Sequence, residues 1–357
     1  MTLSQDGIVE PSRGAVARAI PRLDGWRRGA SESPSPSASY KEWMHFCVAL
    51  PGDPAGHLLV NINVMERLLP TGPERRPRLI AIGVRGDWTG VVDSFDADQV
   101  RGRAGQVDLE LGPNRLLWRN GAFDLEVHGA GITAKLRLRP LALPTVATSV
   151  SFGPQHSIHW VVLPRLEASG WVDLGHGRIA LDRAPAYHDH NWGHFRWGGD
   201  LAWEWGFVNA TSGGEPWSAV FARVSDGARH RTLSQSATVW RGGAVARTFQ
   251  DGELRMTCEG THGGPRPFTL PKVASLLVPG ASSGVPARVS VEAKGGDDKL
   301  RIEFESLSKA RIAIPSDVDP FKLVLLNEVA GRARATGRTY AGDFDLSGPA
   351  LMEFVRG

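Results

Sequence analysis

The chain has 357 residues, 41% hydrophobic and 22% charged, with 41 basic against 38 acidic side chains and a formal charge of +3. That length accommodates two domains of ordinary size, and the composition is that of globular chains, not of disordered or bilayer-embedded ones. The small charge is spread without a lysine and arginine block, which argues against nucleic acid as a partner, and no apolar run approaches the roughly 18 residues that span a bilayer.

Residues 1–38 lead into the Ser/Pro tract "SESPSPSAS", a composition that buries too little apolar surface to offset the entropy of ordering. The segment is expected to be a disordered leader outside the fold. It has arginines but no continuous apolar stretch with a cleavage site, so no secretory signal is read there and a cytoplasmic location is the expectation. From Tyr40 onward, short β-favouring runs such as "EWMHFCVAL", "HLLVNINVMERLL", "RLIAIGV" and "FDLEVHG" alternate with Gly, Pro, Asp and Asn. The basic run "GPERRPR" (Gly72 to Arg78), flanked by prolines, reads as a solvated loop. In "ITAKLRLRP", Ile132, Ala134, Leu136 and Leu138 share one face and Thr133, Lys135, Arg137 and Arg139 the other, the pattern of a half-buried antiparallel strand. The second half continues the theme, with a glycine hairpin turn in "TVWRGGAVARTF". Cys47 and Cys258 lie far apart in strand-like runs and are expected to be buried free thiols. The fold class that follows is all-β, two sandwiches or barrels, each about the size of an eight-stranded closed sheet able to hold one small ligand.

One stretch departs from ordinary composition. "PAYHDHNWGHFRWGGDLAWEWGFVNA", Pro185 to Ala210, holds three of the 11 histidines and four of the 12 tryptophans, with two aspartates and a glutamate. As a strand, "AYHDHNW" places Tyr187, Asp189 and Asn191 on one face and His188, His190 and Trp192 on the other. The next run stacks Leu201, Trp203, Trp205, Phe207 and Asn209 as an aromatic wall, with Glu204 opposite. Indoles beside a carboxyl group raise its pKa by desolvation and stabilise a cation through their ring faces, a pairing suited to protonating an alkene. Asn191, Trp192 and Gly193 also read as a turn with an indole plug. His188 and His190 have a spacing that could present two imidazoles to zinc or iron, with His194 or Glu204 completing the shell. Glu328, in "LLNEVAG", is a candidate second polar pocket group.

"AYHDHNWG", following "HSIHWVVLPRLEASGWVDLGHGRIALDRA", resembles the central signature of the carotenoid 1,2-hydratase and AttH-like family: an aromatic, one residue, an aspartate, one or two variable residues, then Asn or Glu, Trp and Gly. "KEWMHF" (Lys41 to Phe46) resembles that family's first strand and "GDFDLSGPALMEF" its closing strand, so the resemblance covers about residues 40–357. It departs at Met44, where a second tryptophan is common, and at "HSIHW", which replaces a tyrosine-rich stretch. The resemblance implies two lipocalin-like (calycin-type) antiparallel β-barrels packed together, 39–199 and 200–357, and extends to lipocalin-like cyclases and Diels–Alder-type enzymes. Carried over, Asp189 matches the family's proton-donating aspartate and Tyr187 the aromatic two residues before it.

The expectation is a cofactor-free lyase or isomerase, without metal, acting on an apolar unsaturated substrate such as a polyene, terpenoid or polyketide. Asp189, kept protonated by Trp203, Trp205 and Phe207, would donate to the alkene, and Tyr187 would orient it or relay the proton. His188, His190, Asn191 and Trp192 would bind substrate together with the wall. Water as acceptor gives hydration; an internal double bond or hydroxyl gives cyclisation. A shaped pocket working by orientation alone would give a Diels–Alder-type cyclase, and a barrel without turnover would be a carrier of an apolar ligand. The partner expected is a small molecule, collected through a peripheral membrane contact if it is lipophilic.

Overall fold

The computed structural model describes residues 2–3, 9–28, 33–69, 71–263, 267–277 and 284–356. Strict alternation becomes strand where it was read: Ile132–Pro140 buries Ile132, Ala134, Leu136 and Leu138 and turns Lys135 and Arg137 to solvent. The hairpin joins Thr232–Arg241 to Ala244–Gln250, with Gly242 at φ 59° in its turn.

The chain divides into two compact units between Phe195 and Arg196. The first comprises Pro11–Gly52 and His57–Phe195. Its twelve-stranded antiparallel sheet runs Asp87–Ser94, Gly72–Arg85, His57–Leu69, Tyr40–Ala49, Arg178–His194, His156–Asp173, Ile132–Pro140, Ala122–Gly129, Asn114–Arg119, Asp108–Leu111 and Val100–Gly102, with Thr145–Gly153 also on His156–Asp173. The sheet curls so far that the first strand of this order meets Ala122–Gly129: a Cβ at Gly129 would lie 2.4 Å from Val91 Cγ1, so only glycine fits the closure. Met44, Phe46, Val60, Phe123 and Leu136 are among the side chains that fill the interior.

"GPERRPR" is not a loop but the start of the Gly72–Arg85 strand, whose prolines fall where only the His57–Leu69 side is paired, the place an edge tolerates them. Residues 191–193 are strand as well, and Gly193 is there for proximity, since a Cβ would sit 2.1 Å from the Ser157 carbonyl oxygen.

The described part of the leader is also inside the fold, contrary to the reading of residues 1–38 as disordered. Arg13–Leu23 is a helix, N-capped by Ser12, whose hydroxyl accepts from the Ala15 N–H at 3.2 Å. Val16 and Ile20, one turn apart, and Trp26 beyond the helix are buried in the first unit's core. The Ser/Pro tract lowers the mean composition of the segment and hides this short amphipathic stretch. Of residues 1–38, residues 1, 4–8 and 29–32 lie outside the described residues.

The second unit comprises the paired strands Thr2–Leu3 and Val9–Glu10, Asp53–Gly56, and the chain from Arg196. Its ten-stranded sheet runs Ala244–Gln250, Thr232–Arg241, Glu215–Asp226, Leu201–Ser212, Gly342–Arg356, Leu323–Thr339, Asp298–Pro315, Arg288–Gly295 and Leu254–Glu259, with Phe268–Leu270 parallel to Asp298–Pro315. Phe221, Phe249, Phe304, Met352 and Phe354 belong to its core. Both sheets exceed the eight strands expected. Cys47 is buried, whereas Cys258, on the outermost strand of the second sheet's order, is exposed. No helix among the described residues is long and apolar enough to cross a membrane.

Candidate active site

The strand Arg178–His194 lies between Tyr40–Ala49 and His156–Asp173 and gives the dense stretch two faces. On one, Tyr187, Asp189 and Asn191 are buried in a row. Asn191 donates from Nδ2 to Asp189 Oδ1 at 2.5 Å. Burial raises the Tyr187 phenol well above its ordinary pKa. Register places His45 opposite Asp189 and Trp43 opposite Asn191 on one neighbour, and Val162 and Trp160 on the other. Burial and the charge of His188 push His45 down to about 3, so it is a neutral imidazole at physiological pH.

On the other face, His188, His190 and Trp192 meet the chain's own N-terminal segment. Asp24 is fully buried, with Oδ2 2.9 Å from His188 Nε2 and Oδ1 3.1 Å from His190 Nδ1. Glu42, also buried, lies 2.9 Å from His190 Nε2 and accepts the backbone N–H of Arg27 at 2.6 Å and the Tyr40 hydroxyl. Burial pushes Asp24 up, but the charges and hydrogen bonds of the two imidazoles outweigh it and hold the carboxyl at about 2. Burial pushes His190 down, and the two carboxylates more than reverse this, raising it above its ordinary value. Trp192, half-buried, carries the Arg27 guanidinium over its ring at 4.0 Å.

Trp203, Trp205 and Phe207 share a face as read, but in the second unit, and the carboxyl their indoles hold there is Glu353. Trp203 and Trp205 both donate to Glu353 Oε1, the latter at 3.2 Å, and Trp205 stacks on Phe207. Glu328 is the direct register partner of Glu353 and hydrogen-bonds with it. Burial raises the Glu353 pKa against the lowering effect of these donors, so it keeps its proton to a higher pH than an exposed glutamate. Glu204 is buried and paired with Arg223 at 3.0 Å and Arg229 at 2.6 Å. The histidine shell for a metal is not assembled: among the described residues no group of three or more His, Cys, Asp or Glu is placed to hold one. His194 instead bonds Ser39 at 3.2 Å.

No family model and no curated protein matches the chain. Among solved structures, a protein provisionally named AttH from Nitrosomonas europaea superposes with a TM-score of 0.62 at 14% identity, over 90% of this chain and 94% of that one. Kievitone hydratase from Nectria haematococca gives 0.56 at 13% identity, covering 95% and 94%. CghA with Sch210972 gives 0.56 at 12%, covering 95% and 97%. The fold is therefore AttH-like and lipocalin-like. Within this AttH-like fold, four groups beside the dense stretch escape a reading of that stretch alone: Asp24, Glu42, His45 and Trp160. Glu42 carried a signal, since it shares strand parity with the apolar Met44, Phe46 and Val48; a carboxyl in an apolar row is either buried or out of register.

Proposed function

We propose that the chain is a cofactor-free lyase or isomerase that protonates an apolar, unsaturated small molecule and completes the reaction by hydration or cyclisation. The observation that carries this reading is Asp189: a buried carboxyl, held by Asn191, on a face that also carries Tyr187 and Trp160. Taking a carboxyl out of water favours the acid over the carboxylate. A hydratase among proteins of this fold, kievitone hydratase, supports the same reaction class. The proton passes from Asp189 to one alkene carbon, whose π pair forms the new C–H bond. The cation on the other carbon takes the oxygen of a water molecule, and the surplus proton returns to the Asp189 carboxylate. An internal double bond or hydroxyl in place of water closes a ring. Tyr187, kept a neutral phenol by its raised pKa, orients the carboxyl.

Incubation with polyene, terpenoid and polyketide panels in D2O, followed by mass spectrometry, tests this. Conversion should place one solvent deuterium on carbon. Asp189→Asn should bind the same compound and convert it about 10²–10⁴-fold more slowly, the usual worth of a general acid. Turnover by the variant at the parent rate would end the proposal. A ring product without deuterium would favour cycloaddition by orientation, and bound compound returned unchanged would favour a carrier.

A further inference from the structure

We propose that His188 and His190 form a carboxylate-binding site inside the first unit, that Asp24 is its resident occupant, and that a small apolar monocarboxylic acid can take its place. The site lies on the face of the strand opposite Asp189, so either reading can fail without the other.

His188 Nε2 hydrogen-bonds one oxygen of the carboxylate at 2.9 Å, and His190 Nδ1 lies 3.1 Å from the other as an ion-pair contact. Each ring is aimed by a second contact. The Nδ1 of His188 donates to the His45 carbonyl at 2.9 Å, because a carbonyl only accepts, and the ring stacks on Phe46 at 4.1 Å and 12°. The contact of its Nε2 with an ionised Asp24 then requires the hydrogen to sit on the ring. His190 is fixed through Nε2 by Glu42. The receptor is thus pre-organised, which reduces the cost of binding. Without Asp24, two imidazoles would face one carboxylate, Glu42, and the vacated place would favour a single negative charge that is hydrogen-bonded.

Asp24 comes to this place from outside the sheet, in the segment that follows the Arg13–Leu23 helix. Around its carboxylate the surroundings are apolar: Phe46, Phe123 at 5.0 Å from His188, and Trp26 edge-on to His190 at 5.9 Å. One carboxylate on an apolar body is the chemistry that matches.

Octanoate and octanol serve as probes, titrated calorimetrically into the wild type and Asp24→Ala. The variant should bind octanoate at least about tenfold more tightly than octanol, the worth of one charge-assisted contact, and more tightly than the wild type does, since Asp24 no longer competes. Adding His190→Gln to that variant should bring octanoate down to the level of octanol. Equal binding of the two probes, undetectable binding, or indifference to His190→Gln would overturn the assignment. If Asp24→Ala does not fold, hydrogen exchange on the wild type decides: octanoate should speed exchange across residues 13–28 and octanol should not, and equal exchange with either probe would refute the site.

Discussion

Replacing His190 by phenylalanine keeps a ring inside the first unit and removes the charge between Asp24 and Glu42. His190 is fully buried, 3.1 Å from one carboxylate and 2.9 Å from the other. At an effective dielectric constant of about 20 each contact is worth about 5 kcal/mol of Coulomb energy, most of which the desolvation of the three groups cancels. Removing one partner of such a network leaves the others charged and dry, at a cost of about 3–5 kcal/mol. His190→Phe is therefore expected to lower the stability of the first unit by that amount at pH 7. Native-state hydrogen exchange at the amides of Tyr40–Ala49 and Arg178–His194 reads it locally, which matters because a chain of two units need not unfold in one step. Adding Glu42→Gln should recover part of the loss, because the two changes share a contact. The pH dependence has a definite sign. The raised pKa of His190 makes its contribution complete below 6.5 and lost as pH rises through the folded value, whereas that of Asp24 is complete above 3.8 and lost as pH falls toward 2. A loss below about 1 kcal/mol, the level of an exposed ion pair, would refute the reasoning.

The raised pKa of Glu353 has the same sign as that of His190: its carboxyl loses stability as pH rises above the ordinary 4.5. Glu353→Gln should flatten that decline in a urea titration series between pH 4 and neutrality, and an unchanged slope would exclude this carboxyl as its source. Ile20→Ala, in the leader's helix and fully buried, should cost about 2–5 kcal/mol, seen as earlier urea unfolding of the first unit; no shift would place the helix outside the core. In native protein iodoacetamide should label Cys258 and spare Cys47, with peptide mass spectrometry distinguishing the two.

What the sequence made legible is what period alone encodes. The alternation in "ITAKLRLRP" and in "AYHDHNW" specified which side chains share a face, and the glycine pair specified the hairpin. Period does not say which face is inside, nor which distant segment completes it. Tyr187, Asp189 and Asn191 were separable from His188, His190 and Trp192 at once, but the counter-ions of the histidines, Asp24 and Glu42, come from 164 and 148 residues away along the chain. Asp24 was discarded with the leader because composition averages over a window, whereas docking needs only two or three apolar residues at helical spacing. The indoles share a row, but their carboxylate partner, Glu353, reaches them by strand pairing 148 residues later and so leaves no trace in the stretch itself.

Which face of Arg178–His194 points inward is decided by a local irregularity, not by the dense stretch itself. Ile179 and Leu181, at odd positions, are in the first unit's core, yet beyond them the even positions Ala184, Ala186, His188 and His190 face inward. The change of parity requires one extra residue, and the pairing shows it: Ala168 to Gly170 spans two steps where Ala184 to Leu181 spans three. Arg183 lies in that interval with φ at 50°, its N–H directed to the Ser169 hydroxyl at 3.2 Å, the geometry of a β-bulge. Without the extra residue the alternation would continue unbroken, Asp189 would face the core among the phenylalanines, and His188 and His190 would turn away from Asp24. The chemistry of both faces thus depends on an exposed arginine several residues upstream that makes no contact with either.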